Sequence, residues 1–278
     1  MKRREEFYNN TLFNEIIRID FLRIKNIENI LDNLRNLMKK NKYSFRTTDI
    51  RNVNINIEDP ETLETQEMIK SNINTTKNYE YVSLDECNKF VLNEYFLIFE
   101  KNNFSKYEKL DEYLKLINKI IDVIIDNESG ISVSRVGIRK MNHLFVSDVE
   151  TLKKYININI PNKDDIEILD EYAIVQKNLD NTGGYSSNIV LNLKKGKLKT
   201  DSIKEMPMYR FIWDIDCYIR KIENTEIESK MSSLNEYLFK RYDSIITDDF
   251  SKILQDKELK LEDLERVNNI YGGINKND

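Results

Sequence analysis

Apolar and polar positions alternate at two different periods along this chain, and the switches between them mark out its elements. Phe13, Ile17, Ile19 and Phe21 share one parity while Arg18 and Asp20 share the other, which predicts a half-buried strand over 13–24. Ile27, Ile30, Leu31, Leu34, Leu37 and Met38 then recur at helical spacing. They end at Lys39 and Lys40, cations that suit a helix C-terminus. Residues 51–57 alternate strictly and stop at Asp59-Pro60, which predicts a second strand. The polar stretch 61–76 is ambiguous and reads as a loop with room for a short strand or helix. Short strands follow at 79–83, 89–92 and 96–99, with Asp85-Glu86 as a tight turn. Ser105 and Glu108 form a capping-box pattern. Behind it, Tyr107, Leu110, Leu114, Ile117, Ile121 and Ile124 make one helical stripe that Ser129-Gly130 ends.

A long strand over 131–146 opens the second half. Val149, Leu152 and Tyr155 predict a short helix behind an Asp148 cap. Strands are predicted at 172–176 and 187–193, the second turning at Lys195-Gly196, with Asn181-Thr182-Gly183-Gly184 as the turn between them. Residues 209–219 alternate throughout: Tyr209, Phe211, Trp213, Ile215, Cys217 and Ile219 face one way, and Arg210, Ile212, Asp214, Asp216 and Tyr218 the other. Met231, Leu234, Leu238, Tyr242 and Ile245 mark a long helix over 228–246. A short amphipathic segment at Phe250, Ile253 and Leu254 follows, and then a polar tail.

The halves share a grammar of long strand, helical crossover, further strands and a long amphipathic helix, offset by about 120 residues. Strands joined by short turns predict an α+β fold: two pseudo-repeated units, each an antiparallel sheet plus a long helix, with the sheet backed by helices. The expected division is 1–128 for the N-terminal unit, 129–260 for the C-terminal unit and 261–278 for the tail. This order of four antiparallel strands and a long helix is similar to that of the SecB export chaperone, a likeness of fold that carries no function.

Composition narrows the chemistry. A net charge of -5 and a pI of about 5.3 do not indicate nucleic acid as a partner, although a local basic patch such as 194–199 would not register in them. The two cysteines, Cys87 and Cys217, are far apart, which points to reduced thiols and a cytoplasmic protein. No apolar run reaches the ~20 residues of a membrane span, and the charged N-terminus leads into no secretory signal. With one histidine, His143, a two-His metal site within the chain is excluded, and Ser-His or Cys-His catalysis could run only through it. Gly183-Gly184 lacks the spacing of a phosphate-binding loop. No cofactor is implied.

Two clusters carry candidate chemistry. Arg135 and Arg139 lie four apart on the predicted central strand, on one face, with Gly137 between them. Two guanidinium forks around a glycine could hold a phosphate or carboxylate. Asp214 and Asp216, two apart on another strand, could bind Mg²⁺. The simpler account is that these arginines and aspartates pair across the sheet.

The segment Arg135-Val136-Gly137-Ile138-Arg139-Lys140-Met141-Asn142 resembles the signature of a sporadically distributed, uncharacterised prokaryotic family. Its members carry an Arg-x-Gly-Leu-Arg-Tyr-Ile-Asn strand in a chain of about this length. Lys140 stands where the family has Tyr. The resemblance extends to Phe13-Asn14-Glu15, the Tyr107 helix, Trp213-Asp214-Ile215-Asp216 and Phe250, and so covers most of the chain. It adds Asn142 to Arg135, Gly137 and Arg139 as a ligand-binding candidate. The family's patchy distribution implies a mobile or antiviral-defence setting, with a partner encoded nearby.

Together these features point to a non-catalytic protein-interaction or chaperone-like subunit, bound to another protein or to itself. A metal-dependent enzyme acting on nucleic acid or nucleotides, centred on Asp214 and Asp216, is the alternative from a different class. A nucleotide- or anion-sensing module using the arginines is the third.

Overall fold

The residue parity that carries most branched and aromatic side chains points to the same side in strand after strand, so the strands merge into one sheet whose main apolar core lies on one face. The computed structural model describes residues 11–57, 69–102, 110–128, 130–157, 171–179, 184–200 and 203–256. Its strands are β1 (Leu12–Phe21), β2 (Tyr43–Ile57), β3 (Ile69–Ser83), β4 (Asn88–Leu92), β5 (Phe96–Asn102), β6 (Val133–Val146), β7 (Glu171–Leu179), β8 (Tyr185–Thr200) and β9 (Ile203–Ile222). Its helices are α1 (Ile27–Lys40), α2 (Leu110–Asn127), α3 (Val149–Tyr155), α4 (Ile227–Ile245) and α5 (Asp248–Gln255). The nine strands lie in the order β2-β3-β4-β5-β1-β6-β9-β8-β7, each antiparallel to its neighbours. This is the expected α+β class, a large antiparallel sheet backed by helices.

β1 and β6 meet in the middle of the sheet, and the strands of each half run outward from that seam, β5-β4-β3-β2 on one side and β9-β8-β7 on the other. The buried cluster joins Ile17 and Ile19 of β1, Val136 and Ile138 of β6, and Trp213 and Ile215 of β9 to Leu34 of α1, Ile117 of α2 and Leu234 of α4. Cross-strand register puts all of these strand residues on one face. Asp148 caps α3 by accepting from the Thr151 amide at 2.7 Å, as its position before an apolar-periodic segment predicts. α2 passes to β6 through Gly130, whose φ of 82° suits glycine, and the sheet continues across that junction.

Two strands differ from expectation. β3 begins at Ile69, inside the predicted loop, and β2 begins at Tyr43, well ahead of Arg51. β4 covers only Tyr79–Val82 of β3, so the rest of β2 and β3 forms a two-stranded ribbon. The first residues of β3 are mostly polar and follow no clear period, so their pairing with β2 is not legible in the sequence. The second correction concerns Lys195-Gly196: β8 does not turn there but runs on to Thr200, with Gly196 opposite Met208 in a second ribbon. A Cβ at Gly196 would meet nothing within 4 Å, so this glycine answers no steric need. The antiparallel ladder sends the two ribbons out from opposite ends of the sheet. The predicted capping box at 105–108, the turn at 181–183 and the tail at 261–278 lie outside the described residues.

An ion pair lies on the buried face, at the seam. Glu15 of β1 stands between Lys101 of β5 and Lys140 of β6. Lys140 Nζ lies 2.9 Å from Glu15 Oε1, with side-chain exposures of 6% and 0%. The Tyr113 hydroxyl of α2 donates to the other Glu15 oxygen. Beside this pair, the Asn142 side-chain oxygen accepts from the Thr11 hydroxyl at 3.2 Å, and that hydroxyl lies 3.1 Å from the Tyr242 hydroxyl of α4. The Lys140→Met variant, which leaves a buried carboxylate without its lysine, is expected to lose about 3–5 kcal/mol in urea unfolding. Adding Glu15→Leu should recover most of that loss.

Candidate functional site

The opposite parity of β1, β6 and β9 points away from the helices, and there the predicted arginines and aspartates converge. Arg139 forks onto Asp214: Nε lies 2.8 Å from Oδ1 and Nη2 2.5 Å from Oδ2. Register sets Arg139 opposite Asp216 and Arg135 opposite Arg220, so each guanidinium reaches diagonally to its aspartate. Arg135 Nη2 lies 3.1 Å from Asp216 Oδ2, and its Nη1 lies 3.6 Å from Asp20 of β1. Asp20 also pairs with Arg18 at 2.6 Å, and the Arg18 guanidinium lies 4.7 Å above the Phe96 ring of β5. An ionic and cation–π ladder therefore crosses the middle of the sheet from β5 to β9.

Hydrogen bonding to Asp214 comes first among the causes that raise the Arg139 pKa above its ordinary value. Burial pushes the Asp216 carboxyl up, with Asp214 adding to the rise, and Arg135 and Arg139 draw it only part of the way back. Both carboxylates are engaged by guanidinium groups, and no group of three His, Cys, Asp or Glu among the described residues could hold a metal ion.

Gly137 lies on this face between the arginines, opposite Tyr218. A Cβ there would meet Tyr218 Cβ at 3.3 Å and Arg135 Nη2 at 3.4 Å, and the Arg135 guanidinium lies 4.5 Å over the Tyr218 ring. The missing side chain lets the arginine fold onto the tyrosine. Asn142 is separated from the other three: its parity is that of Ile138 and Leu144, and it is buried on the helix side with Thr11. Sequence reasoning missed Arg18, Asp20 and Tyr218 as members of the ladder, although Arg18 and Asp20 had already been placed on the polar parity of their strand.

His143 stacks on Phe13 at 4.7 Å and meets Phe145 edge-on at 5.0 Å. Burial first, then the charge of Arg210, lowers its pKa to about 4, so the ring is neutral in the folded protein at pH 7. Cys217 is buried, and that burial raises its thiol to about 12, beyond use as a nucleophile. No protein-family model matches this chain, and no curated protein matches its sequence.

The Arg139–Asp214 pair is half exposed, and a double-mutant cycle with Arg139→Ala and Asp214→Ala should return a coupling of about 1 kcal/mol that shrinks in high salt. The depressed His143 value has a definite sign. The unfolded chain binds this proton near pH 6.5 and the folded chain only near 4, so stability is full above pH 6.5 and falls as the pH drops towards 4. Thermal unfolding across that range should be less pH-dependent in His143→Phe, which keeps the aromatic stack.

Proposed function

We propose that this chain is a non-catalytic protein-interaction subunit that buries a segment of a partner protein against the helix-free face of its sheet. One observation carries the proposal: the apolar cluster draws on one side of the sheet alone, and among the described residues no helix covers the other side. That side sets half-buried Ile16, Phe96, Ile98, Met141, Val190 and Ile212 around the ion-pair ladder. Apolar residues interleaved with arginine and aromatic side chains suit protein recognition. The metal-dependent and anion-sensing alternatives draw less support, because Arg135, Arg139, Asp214 and Asp216 are taken up by one another. The mirrored strand order about the β1–β6 seam supports a further part of the proposal, that the two halves are copies of one unit.

Pull-down of the tagged full chain from its native lysate, read by mass spectrometry and for bound nucleic acid, tests this. The expected result is a stoichiometric protein partner that is lost in Met141→Arg and Val190→Arg. Both positions flank Asp214 on the helix-free face, and both variants should keep the wild-type melting temperature. Retention of the partner by both folded variants would overturn the use of this face. Binding of a divalent ion or nucleotide that is abolished by Asp214→Asn would favour the enzyme instead.

A further inference from the structure

Charge is divided unevenly between the two halves of the helix-free face. On the half built from β1 to β5, each described cation has an acid: Arg18 pairs with Asp20, Arg46 with Glu80 and Lys89 with Glu100. On the half built from β6 to β9, Arg135 and Arg139 are taken up by Asp216 and Asp214. Lys177, Lys194 and Arg220 are exposed there and form no ion pair among the described residues. Glu171, the other acid described on this half, stands opposite Lys194 and accepts from Asn192. A local surplus of positive charge therefore sits on a chain whose net charge is -5.

These cations bracket an apolar band. Register sets Lys194 in one cross-strand row and Lys177 three rows along. Between them lie Ile212 in the second row and Val175, Val190 and Met141 in the third. Val175 is 60% exposed. Arg220 extends the far end, opposite Arg135. Rows two residues apart are ~6.6 Å along a strand, so the two lysines stand about 20 Å apart in the strand direction. An apolar centre with a charged rim is the anatomy of a recognition surface.

We propose that this half of the face takes an acidic amphipathic helix of a partner protein, with its apolar stripe on Val175, Val190, Ile212 and Met141 and its carboxylates against Lys177, Lys194 and Arg220. A sheet face offers side chains and no free backbone groups. An extended segment lying on it would leave its own amides and carbonyls unpaired, whereas a helix pairs them internally. The helices α1, α2 and α4 cover the opposite face in that way. A span of about 20 Å is the length of a helix of about 13 residues. Acidic side chains complement this half and not the other, where the cations are already neutralised. The proposal rests on the helix-free face as the binding face, and adds which half of it binds and the chemistry of the occupant.

Two fluorescein-labelled fourteen-residue peptides test this against the full chain by anisotropy. One carries leucines along a helical stripe with glutamates on either side, and the other has lysines in place of the glutamates. The glutamate peptide should bind about tenfold more tightly or better, and its advantage should shrink in high salt. Lys177→Glu, Lys194→Glu and Arg220→Glu together should reverse the preference at an unchanged melting temperature, whereas Arg46→Gln on the other half should leave it as it is. No preference for the glutamate peptide, or a preference that survives the three reversals, overturns the proposal. A 20-nucleotide single-stranded DNA that binds through the same three cations more tightly than the glutamate peptide assigns the surface to nucleic acid and overturns it as well. In the native pull-down, a partner lost in Met141→Arg yet kept by the triple variant overturns the acidic helix alone. A partner kept by both Met141→Arg and Val190→Arg overturns the binding face with it.

Discussion

The pairing of Glu15 with Lys140 is the constraint on which the central register depends. Apolar residues along β1 and β6 would pack nearly as well after a two-residue slip, because parity is preserved. The ion pair would not: a slip would leave a carboxylate and an ammonium in the core without each other, at a cost of several kcal/mol. Among the described strands the two halves meet in the sheet at β1 and β6, so the contact that aligns these two strands also aligns the halves of the sheet. Lys140 faces the core and supplies a charge there, beside the carboxylate that Tyr113 also engages.

Much of this was legible because burial is one-sided. Where a strand lies under α1, α2 or α4, every second residue must be apolar, and the strands at 12–21 and 209–219 announce themselves. The rule gives no signal at the start of β3: from Ile69 the residues are mostly polar without a clear period, yet backbone pairing with β2 holds them in the ladder. Gly196 reads as a turn because glycine is a turn signal by composition, yet its backbone stays extended within the β8–β9 ladder.

The site was legible in its members and not in their grouping. Arg135, Arg139, Asp214 and Asp216 stand out by parity, and pairing across β6 and β9 follows once those strands are neighbours. Sequence alone could not say that they would reach diagonally, or that Asp20 and Arg18 would extend the series, because that requires β1 to lie on the other side of β6. Asn142 was grouped with them through a motif written as a string, whereas its even number assigns it to the opposite face. The missed pair carries a comparable signal: Glu15 shares parity with Ile17 and Ile19, and Lys140 with Ile138 and Leu144. A charge on an apolar parity in each of two strands is a reason to look for a partner.

The order of the strands also sets a timetable for synthesis. β1 is the first described strand to leave the ribosome, yet its neighbours β5 and β6 begin at Phe96 and Val133. At roughly 5–20 residues per second, the strand that will occupy the middle of the sheet waits for several seconds with both edges unpaired. β2 and β3 can close as a hairpin meanwhile, and β4 and β5 can add to them, so the nascent chain assembles from the rim inward. The segment carrying Ile17 and Ile19 is thus the one most exposed to nascent-chain chaperones, and the last ladder of the first half to form is its central one.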